Sequence, residues 1–76
     1  MMSMSVKIEC LEQAVKLVEL MEQCMYDVDI IYGSRTVDAK SLLGVLMLVR
    51  SDNLKLVFHT EEDAARVGNK VVSIAA

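Results

Sequence analysis

The chain has no proline and no tryptophan, and its three glycines are spread apart. With no Pro-, Gly- or Ser-rich stretch there is no linker, and with no internal repeat the 76 residues read as one domain, 1–76. Two cysteines, Cys10 and Cys24, do not make a disulfide framework, and reduced thiols of a cytosolic protein are the simplest reading. A structural zinc needs about four soft ligands. Two cysteines and the single His59 fall short, so no metal is expected, and nothing in the chain calls for another cofactor. The longest apolar run, Leu42 to Val49, is far short of the roughly 20 residues of a membrane span. The opening MMSMSVKIEC has no charged segment followed by a long apolar one, so no targeting segment is expected. Basic residues are few as well: 8 Lys and Arg stand against 11 Asp and Glu, for a net charge of −3 and a pI of about 4.9. They are scattered, which excludes the phosphate-neutralising face of a nucleic-acid binder and the basic amphipathic helix of a membrane-surface protein.

Apolar residues are what the chain has in plenty. They make up 54% of it, with a mean hydropathy of +0.39. A domain this small leaves much of its surface in water, so part of this apolar content is expected outside, where it serves a partner.

Val6-Lys7-Ile8-Glu9-Cys10 alternates apolar and charged, the period of a half-buried strand. From Leu11 the period turns helical. Leu11, Ala14, Val15, Val18, Met21 and Met25 form a stripe that Leu17, Leu20 and Cys24 widen, with Glu12, Lys16, Glu19 and Gln23 opposite. A helix over Leu11–Met25 follows. Residues 27–32 alternate again, Gly33-Ser34 makes a hairpin turn, and Arg35–Ala39 returns. Ser41 is an N-cap for a short apolar helix within Leu42–Val49, weakened by Gly44. Leu54–His59 is a fourth strand with Leu54, Leu56 and Phe58 on one face. Thr60 caps a last helix whose first turn, Glu61-Glu62-Asp63, suits the positive end of its dipole, with Ala64, Val67, Val71 and Ala75 facing inward. The order strand, helix, strand, strand, helix, strand, helix predicts an α+β fold, a two-layer open-faced sandwich with a four-stranded antiparallel sheet and helices on one face.

The stretch Ser34-Arg35-Thr36-Val37-Asp38-Ala39-Lys40-Ser41-Leu42-Leu43-Gly44-Val45-Leu46-Met47-Leu48 resembles the centre of HPr, the histidine-containing phosphocarrier of the bacterial phosphoenolpyruvate-dependent sugar phosphotransferase system. A hairpin, then Lys-Ser, then a short apolar helix with glycine is that family's pattern, and the predicted element order matches the family fold over nearly the whole chain. The resemblance also implies a phosphorylated histidine in a Gly-x-His-x-Arg-Pro-Ala loop before the first helix. Here an ungapped match puts Cys10 at the histidine, Glu12 at the arginine and Gln13 at the proline, and only Ala14 agrees. A carboxylate stands where a phosphoryl group needs a cation, and the loop is several residues shorter. The expectation is an HPr-like protein without phosphocarrier activity, and no enzyme.

Cys10 is either a substitute nucleophile, since thiolates carry phosphate, or a small residue at a strand end; no cation nearby favours the thiolate. Ser41 matches the serine that a regulatory kinase phosphorylates in HPr of many Gram-positive bacteria, and it equally serves as a plain N-cap. On the short helix, Val45 and Leu48 are expected to point inward and Leu43, Leu46 and Met47 outward. In the family this surface docks enzyme I, sugar-specific transporter components and regulators. The alternative is burial by the last helix or by a second copy in a homodimer. His59 reads as a solvent-facing strand residue, and Asp27 and Asp29 as a solvated face rather than an acid–base pair.

Three functions follow: a cytoplasmic regulatory or protein-binding HPr relative using Leu43, Leu46 and Met47, a docking module switched at Ser41; an active phosphocarrier using a substitute such as Cys10; or an unrelated ACT-like ligand-binding domain. Sheet order distinguishes the last from the others.

Overall fold

The computed structural model of the chain describes residues 2–75. Its elements are β1 (Met2–Val6), α1 (Leu11–Met21), β2 (Val28–Tyr32), β3 (Arg35–Asp38), α2 (Leu42–Leu46), β4 (Leu54–Phe58) and α3 (Glu61–Ala75). The four strands form one antiparallel sheet in the order β1-β4-β2-β3. Leu54, Leu56 and Phe58 of β4 and Val28 and Ile30 of β2 turn to the helices. There they meet Leu17 and Met21 of α1, Val45 of α2, and Val67 and Val71 of α3, all buried. Burying each such side chain is worth about 1.5–3 kcal/mol.

The first strand is not where its alternation placed it. It spans Met2–Val6 rather than Val6–Cys10, pairing from Met2↔Phe58 to Val6↔Leu54. Pairing stops because β4 itself begins at Leu54. Beyond it the backbone finds other partners: Lys7 N–H donates to the Ala75 carbonyl (2.6 Å), and the Ile8 carbonyl accepts from Arg50 N–H (2.7 Å).

The first helix ends at Met21, a turn before Met25. Its last amides close short bonds, Gln23 to Leu20 and Cys24 to Met21, while those of Met25 and Tyr26 go to the Asp63 carboxylate. Met25 is therefore outside the helix and exposed, and so is Leu11; the buried stripe centres on Ala14, Leu17, Val18, Leu20 and Met21.

The hairpin closes as Tyr32↔Arg35 around Gly33, whose φ of +61° is the left-handed conformation that favours glycine. Gly44 has a different reason to be glycine. A Cβ there would lie 2.7 Å from Val37 Cγ1, so α2 seats directly on β3. Arg50 and Asn53 take positive φ in the connection between α2 and β4.

Candidate functional site

Two neighbourhoods hold the residues singled out in the sequence. The first is the start of α1. Cys10 is the N-cap in extended conformation; its carbonyl accepts from Ala14 N–H, its side chain caps nothing, and its thiol is exposed. Three positions on, Gln13 acts as a clamp. Its Oε1 accepts the Glu9 N–H at 2.6 Å and its Nε2 donates to the Ile74 carbonyl at 3.1 Å, tying the first turn of α1 to the last turn of α3. Glu12 pairs with Lys16 at 3.1 Å on the exposed surface, an i,i+4 contact worth only a few tenths of a kcal/mol. The pairing nonetheless occupies the nearest lysine of the helix. Glu9 and Glu12 thus flank Cys10, and no side-chain hydrogen bond joins a cation to its thiol among the described residues.

The second neighbourhood is α2. Asp38 Oδ1 accepts Lys40 N–H (2.9 Å), Lys40 Nζ donates to the Cys24 carbonyl (3.0 Å), and Ser41 N–H donates to the Asp38 carbonyl (3.0 Å). These bonds fix the approach to the helix. Ser41 Oγ then accepts Gly44 N–H at 3.3 Å, so the serine is an N-cap. Val45 and Leu48 are buried as expected, and Leu43 and Met47 are 76% and 75% exposed. Leu46 differs from its expected outward position: it is half-buried and packs against the core, because a five-residue helix seated on β3 turns it inward. Leu42 takes its place on the outside. With Val15, Val18, Glu19, Glu22 and Lys40, Leu42 lines a groove of about 310 Å³ between α1 and α2.

The remaining titratable residues lie elsewhere. His59 Nε2 is 2.8 Å from Asp29 Oδ2 on the sheet face away from the helices. Asp29 is thereby engaged, not merely solvated. His59 follows the end of β4, whereas the chain leads to Cys10 from opposite its start, so the only histidine is at the far end of the sheet from α1's N-terminus. Asp63 is buried in the first turn of α3. The Met25 N–H holds its carboxyl below the usual carboxylate range against the cost of burial, helped by the Tyr26 N–H, Arg66 and Thr60. Burial pushes the Cys24 thiol up, and the Asp63 charge adds to the shift. Among the described residues no helix is long and apolar enough to cross a membrane, and no three His, Cys, Asp or Glu side chains group as metal ligands.

Residues 11–76 match the family model described as the PTS HPr component phosphorylation site. The match begins one residue after Cys10. No curated protein matches the chain. Among solved structures the chain is similar to the crystal structure of HPr-C-His from Thermoanaerobacter tengcongensis, with 19% identity, a TM-score of 0.71, and coverage of 95% of this chain and 90% of that one. At this identity the likeness is one of fold, and it sets the ACT-like reading aside.

Proposed function

The chain belongs to the HPr family, and on that premise we propose that it is a regulatory, protein-docking member that no longer carries the phosphoryl group. Proteins of this family work by contact with other phosphotransferase-system proteins. The observation that carries the reading is the contrast between the two neighbourhoods. At the start of α1 an exposed thiol is flanked in sequence by Glu9 and Glu12, and Gln13 closes the helix start onto α3. A dianionic phosphoryl group there meets charge of its own sign. On α2, by contrast, Leu42, Leu43 and Met47 remain exposed, Leu42 at the groove between α1 and α2, while Leu46 packs against the core.

Ser41 is the regulatory residue of this reading. A phosphate on its oxygen replaces the hydroxyl that accepts Gly44 N–H and sets about two negative charges beside Leu42 and Leu43. An apolar partner surface is then repelled. The setting is the bacterial cytoplasm, where two free cysteines stay reduced.

The test is incubation with phosphoenolpyruvate, enzyme I and an authentic HPr as positive control, together with titration calorimetry against enzyme I. The expected result is no label on this chain, and binding weakened about thirtyfold or more by Leu43→Asp with Met47→Asp, as for residues at an interface centre. Label that appears on the chain and disappears in Cys10→Ser would show a working thiol phosphocarrier instead.

A further inference from the structure

The sheet has two edges, β1 and β3. Proteins guard such edges with charge, proline or a covering element, because alternate residues turn unpaired N–H and C=O groups outward. β3 carries Arg35 and Asp38. β1 is Met2-Ser3-Met4-Ser5-Val6, without a charge or a proline, and no other described element pairs with its outer side.

Beside this edge runs a groove of about 200 Å³ lined by Met2, Ser3, Met4, Phe58, Ala64 and Gly68. Glycine weakens a helix interior, and Gly68 stands in the middle of α3. Yet a Cβ at Gly68 would meet nothing within 4 Å. Nothing inside this copy of the chain requires glycine there. Val72, one turn on along the same flank, is 57% exposed.

We propose that the outer edge of β1 and the adjoining flank of α3 seat a second copy of this chain, in a two-fold dimer with one continuous eight-stranded sheet. The occupant follows from the strand's self-complementarity. Paired antiparallel about Met4, β1 sets Met4 against the same residue of the second copy, Ser3 against Ser5 and Met2 against Val6. Val6 is buried, Met4 half-buried, and both share the helix side with Met2, so apolar groups meet there and hydroxyls meet on the open face. Charge argues the same way. Each copy carries −3, and repulsion is least along a seam free of charge. The two α3 helices then lie antiparallel across the axis, and the missing Cβ of Gly68 lets them approach. A standard interface needs about 800 Å² from each partner, about a sixth of the 4778 Å² surface of the chain. That surface would come from the exposed parts of a five-residue strand and one flank of a 15-residue helix.

Sedimentation of the full chain from micromolar to millimolar concentration tests this. We expect a reversible dimer that Gly68→Glu weakens about thirtyfold or more. Circular dichroism of that variant should show an intact, more helical fold, since the new side chain enters open space. In a Cys10→Ser background, Met4→Cys should form a symmetric disulfide dimer under mild oxidation, and Leu43→Cys should not. A chain monomeric at millimolar concentration overturns the proposal, as does a dimer that survives Gly68→Glu but dissociates with Leu43→Asp. A monomer that instead seats an unrelated extended peptide on β1 overturns it too.

Discussion

The carboxylate of Asp63 accepts the backbone N–H of Met25 at 3.0 Å, across 38 positions of sequence. Its other oxygen takes the Tyr26 N–H at the same distance. One buried side chain in the first turn of α3 thus ends α1 and shapes the loop that follows.

Removing that acceptor should lower the thermal midpoint. Asp63→Ala leaves two loop amides without their partner, and Asp63→Asn, which keeps one carbonyl oxygen, should cost less. The pH dependence has a definite sign. The folded-state pKa is depressed, so Asp63's stabilisation is fully present above the ordinary carboxylate value of about 4 and is lost as pH falls toward the lower folded value. Acid unfolding followed by circular dichroism should be less steep below that point in Asp63→Asn than in the parent.

Gly44→Ala should destabilise although alanine is the better helix former. The propensity gain is about 1 kcal/mol, but the new methyl sits 2.7 Å from Val37 Cγ1, and such overpacking costs about 1–3 kcal/mol. Val37→Ala in the same chain should recover part of the loss, and a double-mutant cycle by denaturant unfolding would measure the coupling.

Gln13→Ala removes two bonds at once and should cost about 1–2 kcal/mol. Hydrogen exchange should rise at the Glu9 amide and in the last turn of α3, with β4 unaffected. A loss of protection spread evenly over the domain would speak against a local clamp.

Restoring a histidine at position 10 should not by itself restore phosphotransfer. Cys10→His leaves Glu12 beside the new imidazole, so the phosphoryl group still meets a carboxylate. The double variant Cys10→His with Glu12→Arg should take up acid-labile label from enzyme I and phosphoenolpyruvate faster than the single one. Equal rates would remove the charge argument.

Much of the fold was legible because it is written in short-range pattern. The Gly33 hairpin, the inward Val45 and Leu48, and the Ser41 cap all rest on neighbours within a few residues. The errors have a common cause. Period-two alternation runs without a break from Met2 through Ile8, so it cannot tell where pairing ends; the length of β4 decides that. A helical stripe through Met25 has no local reason to stop, and the reason lies in Asp63. Asp63 itself looked like one of three acids at a dipole, with nothing nearby to mark it as buried. The His59–Asp29 contact joins residues 30 apart, one on β2 and one just past the end of β4, and leaves no sequence signal. At the site, Leu43 and Met47 were legible from helical spacing, while the exchange of Leu46 for Leu42 depended on how α2 seats on β3.

That seating has a kinetic meaning. Val37 against Gly44 on one side, and Ser41 Oγ on the Gly44 amide, leave α2 little room to roll or rise. On the proposed docking role, its outer leucines and methionine are carried on a platform already in place before any encounter, so little ordering remains to be done when a partner arrives. Differences in affinity among partners should therefore be expressed as residence time, with association rates nearly alike.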